Sequence, residues 1–218
     1  MKAKSLISKP FKIASITNTV DEALEIMDVN RVRHLPLIKS KAFLTIIDEE
    51  SLKRAHPGVV LSDLSKTGVR QYIRSNDHIL EAAKKMSNER LSIIPVLDED
   101  DTFQGVITLE DLFHTIITTY DLSSEGSLLI IEIAQQDFHL SELIRVLEQE
   151  SVHVFSVLVS RTHYPSIEIT LKTDLKDINS ILQTLERYSY HVKAYYEDDS
   201  YSHQLKDRYE SLMSYLNV

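Results

Sequence analysis

Apolar positions along this chain recur at two periods, and the changes of period mark its elements. From Val20 to Val32, the residues Ala23, Leu24, Met27 and Val32 fall on one helical face. Thr19 and Glu22 open that stretch as a capping box, in which each side chain can satisfy the other residue's backbone amide. Extended chain precedes it (Phe11 to Ile16), and two short strands follow, the first carrying Pro36. A second helix is predicted after Asp48. The same order then returns. Gln71 to Arg74 reads as extended, and Ala82, Ala83, Met86 and Leu91 form the helical stripe. Pro95-Val96-Leu97 and Gly105-Val106-Ile107 are strands around the acidic turn Asp98 to Asp101, and a helix starts after Thr108. The order β-α-β-β-α thus occurs twice, with right-handed crossovers, and each apolar face needs the partner repeat to cover it.

The repetition holds residue by residue. Displacing the chain by 59 positions lays Val20 to Leu37 on Ile79 to Val96. Glu22, Ala23, Met27, Arg31 and Pro36 then meet identical residues at Glu81, Ala82, Met86, Arg90 and Pro95, and four further positions change conservatively. After a one-residue gap in the turn, Leu52 falls on Leu112.

Beyond Asp121 the pattern changes. Ser127 to Gln135 reads as a strand, Leu140 to Glu150 as a helix and Val152 to Val159 as a strand. Ser166 to Leu171 alternates as a strand, Leu175 to Tyr188 carries helical spacing, and His191 to Tyr196 is a last strand. That order, β-α-β-β-α-β, is the ferredoxin-like plan. Tyr201, Leu205, Tyr209, Leu212 and Leu216 then outline an amphipathic C-terminal helix. The expected fold class is α+β, divided as repeat one (1–58), repeat two (59–122), a ferredoxin-like domain (126–198) and a terminal helix (199–218).

Charge follows the same division. Residues 1–122 hold 16 Lys and Arg against 18 Asp and Glu, and residues 123–218 hold 8 against 15, within a chain of net charge −9. An acidic chain with no basic run argues against nucleic acid as the main partner. There is no cysteine, hence neither a disulfide framework nor a thiolate metal site, and the histidines show no zinc spacing. The polar N-terminus does not read as a signal peptide, and no apolar run approaches the roughly 20 residues of a membrane helix. A cytoplasmic protein without a membrane contact is expected. No phosphate-binding loop or nucleophile motif points to an enzyme, so no catalytic residue is assigned.

The chemistry gathers at Gly105-Val106-Ile107-Thr108-Leu109-Glu110-Asp111-Leu112. With Thr108 as helix N-cap, Asp111 lies in the first turn among free backbone amides, a place that attracts polyols and anions. Thr108-x-x-Asp111 is equally a capping arrangement in its own right, and Gly105 equally a turn residue. Together with Val20-Asp21-Glu22-Ala23-Leu24-x-x-Met27, His34-Leu35-Pro36-Leu37 and Ile94-Pro95-Val96, these motifs resemble a tandem pair of CBS domains, a Bateman module, over about residues 1–120. The part after Asp121 resembles an ACT domain, as in CBS–ACT regulatory proteins of the acetoin-utilisation type.

The resemblance implies a regulatory ligand containing adenosine: AMP, ADP, ATP or S-adenosylmethionine, with no cofactor required. Asp111 would hold the ribose hydroxyls, Thr108 would place the ribose or a phosphate, Gly105 would let the ligand approach the backbone, and Ile73, Ile94 and Pro95 would flank the adenine. Arg33, His34 and, one turn beyond Asp111, His114 are the phosphate candidates. Repeat one departs from the motif: Thr45, Asp48 and Ser51 stand for Gly105, Thr108 and Asp111. One ligand per chain is therefore expected rather than two. The loop Gln135 to His139 has no glycine, which speaks against amino-acid binding in the ACT-like part. The resemblance further implies a homodimer and a regulated protein partner. The alternative is a ligand-free module for dimerisation or protein interaction.

Overall fold

The computed structural model describes residues 1–197 apart from 67 and 164. The expected C-terminal helix lies outside the described residues. The chain forms two compact units, Met1–Ile116 and Ile117–Val218.

The first unit contains both repeats. Repeat one comprises β1 (Ala14–Ser15), α1 (Val20–Asn30), β2 (His34–Lys39), β3 (Ala42–Asp48) and α2 (Glu49–Arg54), followed by one turn, α3 (Leu61–Leu64). Repeat two comprises β4 (Ile73–Arg74), α4 (Ile79–Glu89), β5 (Ile93–Leu97), β6 (Phe103–Thr108) and α5 (Leu109–Thr119), whose last turn runs beyond the first unit. Each repeat builds a three-stranded sheet, β1-β2-β3 or β4-β5-β6. In each, the first pair is parallel and the second antiparallel. The expected extended pieces shrink to two paired residues each. That brevity accommodates proline in a middle strand: β1 reaches only Leu37 and Ile38, so the missing N–H of Pro36 is not needed there.

The repeated arginine falls at equivalent helix ends. Thr19 and Glu22 form the capping box of α1 as expected. Arg31 and Arg90 then end α1 and α4 in left-handed conformation, at φ 54° and 53°. Beyond them, the Val32 and Leu91 amides donate back to the Met27 and Met86 carbonyls.

Repeat one has its own core, with Val20, Met27, Leu35, Leu37 and Leu52 among its buried members. A second core is shared: Val32, Ile38, Phe43 and Ile46 of repeat one pack with Ile73, Ile79, Met86, Ile94 and Leu112 of repeat two. The backbone also crosses between repeats. Ala3 and Lys4 amides donate to the Asp77 and Ser75 carbonyls of repeat two, and the Ser8 amide donates to Val106. Conversely, Val20 donates to Val59, Leu61 donates to Asn18, and Val69 and Ile46 exchange a pair of hydrogen bonds. The segment preceding each repeat in sequence thus completes the other.

The second unit places β7 (Leu128–Ala134), α6 (Leu140–Gln149), β8 (Val154–His163), β9 (Ser166–Thr173), α7 (Asn179–Arg187) and β10 (His191–Tyr196) in an antiparallel sheet of order β10-β7-β9-β8. This is the element order and sheet order of the ferredoxin-like plan. Alternate residues of β7 and β9 (Leu129, Ile131, Ile167, Ile169, Leu171) face Leu143, Leu147, Ile181 and Leu185 of the helices. The helix α7 begins at Asn179 rather than Leu175, because the Asp177 carboxylate accepts the Asn179 amide and holds a turn there. Among the described residues, no helix is long and apolar enough to cross a membrane.

Candidate functional site

The start of α5 gathers two chain segments that are distant in sequence. The Thr108 hydroxyl accepts the Asp111 amide at 3.1 Å and donates to Asp111 Oδ2 at 2.8 Å. A residue with no sequence signal for this place, Ser8, joins them. Its Oγ accepts the Thr108 amide at 3.1 Å and donates to the same Asp111 Oδ2. Ser8 lies a hundred residues away in sequence and arrives only because the leading segment crosses to repeat two.

Gly105 serves this crossing segment. Its φ is +152°, which few side chains tolerate, and an added Cβ would stand 2.4 Å from Cγ2 of Ile7. The expectation that Gly105 admits a ligand to the backbone needs correction, since Ile7 fills that space. Ile73, Ile94 and Pro95 also depart from expectation. Ile73 and Ile94 are fully buried in the shared core, and Pro95 is buried opposite Val106. Strands covered on both faces bury their side chains in both directions. None of the three presents surface to an adenine.

The phosphate candidates lie elsewhere. Arg33 and His34 line a recess of about 590 Å³ with Asp48, Glu49, Glu50, Lys53 and Arg90. Neither Thr108 nor Asp111 lines that recess. Ser92 stands between the two places. Its amide donates to His34 Nδ1 at 3.1 Å, its Oγ accepts the Arg33 amide at 3.0 Å, and its carbonyl accepts the Leu109 amide at 2.9 Å. His114 is exposed on α5.

The CBS domain pattern matches residues 3–56 and 62–118. The chain belongs to the CBS-domain family. A homoserine O-acetyltransferase from Methanobrevibacter ruminantium is 31% identical over 104 residues, 46% of this chain and 21% of that protein. The chain spans about a fifth of the length of the curated relatives it matches. Among solved structures, a CBS domain pair/ACT domain protein from Thermotoga maritima has a TM-score of 0.49 at 20% identity, covering 55% of this chain and 98% of that one. CBSX2 in complex with AMP has a TM-score of 0.47 at 18% identity, covering 54% and 97%.

Within the CBS pair, repeat one keeps the chemistry of repeat two with its parts exchanged. Asp48 is the N-cap of α2, and its carboxylate accepts both the amide and the hydroxyl of Ser51, each at 2.7 Å. Hydroxyl-then-carboxylate in repeat two has become carboxylate-then-hydroxyl in repeat one. Bulk is exchanged as well. Thr45 replaces Gly105 in the strand, while Gly68 occupies the covering segment, where a Cβ would lie 2.2 Å from the Ile46 carbonyl oxygen.

Because Nδ1 of His34 accepts the Ser92 amide, protonation there would break that bond. Burial is the largest influence on His34 and lowers its pKa; Asp48 opposes this, Arg33 reinforces it, and the net shift is downward from 6.5. A lowered folded pKa favours the neutral ring. Its contribution is present above pH 6.5 and is lost as pH falls through the folded value. The denaturation midpoint should therefore fall between pH 7 and pH 5 more steeply in the wild type than in His34→Gln, measured by denaturant titration. Equal slopes would remove His34 from the pH response.

Proposed function

We propose that this CBS pair is a regulatory module whose Asp111 receives the ribose hydroxyls of an adenosine-containing ligand: AMP, ADP, ATP or S-adenosylmethionine. One observation carries the reading. The Ser8 hydroxyl donates to the Asp111 carboxylate while accepting the Thr108 amide, the pair of contacts a sugar hydroxyl would make. On this reading Ser8 holds the place that the ligand takes, and Arg33 and His34 receive phosphates only if the ligand extends past Ser92. Repeat one spends its carboxylate on the α2 cap, which supports one ligand per chain. The ferredoxin-like unit acts as an ACT-like receiver of the change, in a cytoplasmic protein that performs no catalysis itself. Binding would act by favouring one arrangement of the repeats over another.

A second reading has its own support. Ser8 and Thr108 already satisfy Asp111 Oδ2, and Ile7 fills the space beside Gly105, as a ligand-free interaction module would need. Titration of the full chain with each of the four compounds decides between them. Saturable binding near one per chain is expected, with ~2.7 kcal/mol of stabilisation at a hundred times the dissociation constant. No binding by any of them favours the ligand-free module.

Displacement of Ser8 gives a separate prediction. Ser8→Ala removes a competitor for Asp111, and an intramolecular hydrogen bond contributes about 0.5–1.5 kcal/mol net. Affinity for the bound compound should rise about twofold to tenfold. A loss of affinity would make Ser8 a ligand contact instead.

A further inference from the structure

Arg33 and Ser92 occupy matching positions, each just before the central strand of its repeat. Each holds the helix that closes its repeat. The Arg33 carbonyl accepts the Glu49 amide at the start of α2, and the Ser92 carbonyl accepts the Leu109 amide at the start of α5, both at 2.9 Å. The two residues also hold each other across the repeats. Ser92 Oγ accepts the Arg33 amide, and the Ser92 amide donates to His34 Nδ1 at 3.1 Å. A chain of hydrogen bonds therefore runs from the His34 ring through Ser92 to the start of α5, whose first turn carries Asp111. The symmetry fails at one position: His34 is matched by Ile93, so a single imidazole spans the joint. An amide can only donate, so its bond requires a bare Nδ1, with the proton of the neutral ring on Nε2. A proton on Nδ1 sets donor against donor. It can turn to Ser92 Oγ, 3.0 Å away, and then leaves the Ser92 amide without its acceptor.

We propose that His34 is a proton-operated latch and a positioning residue for the Asp111 cluster: neutral, its ring fixes Ser92 and the start of α5; charged, it releases both. The groups around the ring set the direction. Asp48 lies opposite His34 in the β2–β3 register and favours the charged ring, but both of its oxygens are already engaged by Ser51. Burial opposes the charge most, and Arg33 opposes it from the neighbouring position. Glu49, Glu50 and Lys53 of α2 and Arg90 at the end of α4 line the same recess, two carboxylates against two bases. The net result favours the neutral ring, so the latch is closed above pH 6.5 and opens as pH falls through the lower folded value. Its consequence for a ligand rests on the Asp111 reading above; its hold on Ser92 and Leu109 does not.

Nuclear magnetic resonance of the ligand-free full chain from about pH 8 to pH 5 follows the His34 ring and the Ser92 and Leu109 amides together. Both amides should move with the midpoint of the His34 ring. In His34→Asn the side-chain oxygen takes the place of Nδ1 and gains no proton, so both amides should stay where the neutral ring holds them. His114 also lies on α5, and this variant separates its influence. Adenosine carries no phosphate to meet the ring directly and serves as the ligand probe. Its affinity should fall about fivefold or more between about pH 7.5 and pH 5.5 in the wild type, and not in His34→Asn. A ring that titrates without moving the amides overturns the latch, as does a ring that stays neutral down to pH 5, or amides that still move in His34→Asn. Moving amides with an adenosine affinity that ignores pH overturn the positioning role. Absence of adenosine binding at either pH counts against the Asp111 reading alone, and the amides then decide the latch.

Discussion

Asp111→Ala is expected to weaken binding of AMP, or of whichever adenosyl compound binds, by about tenfold to a hundredfold. A carboxylate can accept two hydroxyl hydrogen bonds at once, and hydrogen bonds to a charged group contribute about 1.5–3 kcal/mol. That range converts to the stated loss in affinity. The substitution also removes the acceptor of Ser8 and Thr108, so the ligand-free fold should lose some stability. The N-cap itself survives, because Thr108 accepts the backbone amide of residue 111, which alanine retains. Affinity should therefore be read by titration calorimetry rather than from melting. Asp111→Asn, which keeps the shape and one acceptor, should fall between wild type and alanine. An affinity unchanged by Asp111→Ala would remove this carboxylate from the site.

Ile94→Ala should act in the opposite sense, on stability and hardly on affinity. Ile94 is fully buried in the core shared by the two repeats, and truncating such a residue costs about 2–5 kcal/mol. The loss should appear as faster amide exchange across β5 and as a lower denaturation midpoint for the first unit. Affinity of the folded protein should stay within about threefold, since the side chain offers a ligand no surface. A large loss of affinity at unchanged stability would return Ile94 to the adenine.

These two residues also mark what the sequence could and could not reveal. Thr108 and Asp111 are three apart, so their meeting follows from helix geometry alone. The capping box of Thr19 and Glu22 was legible for the same reason, and the duplication followed from matched residues at a fixed displacement. Ile94 was placed beside an adenine by the family resemblance alone, whereas here it is fully buried in the core shared by the two repeats. Ser8 was invisible because nothing local ties it to a residue 103 positions later. Gly105 was read as space for a ligand, and only the position of Ile7 shows what its missing Cβ accommodates. In repeat one, alignment showed a lost carboxylate at Ser51; the structure shows it displaced by one helical turn and bonded to that same serine.

The crossing backbone of the first unit bears on how such a chain can be divided or inherited. Residues 1–8 fasten repeat two, and residues 59–69 fasten repeat one. A gene cut just before residue 59 would encode two halves, each carrying a clasp with nothing to close and each missing its own. Loss of either sibling would leave behind a clasp with nothing to hold. The pair, rather than the single repeat, is thus the unit in which every clasp finds its partner.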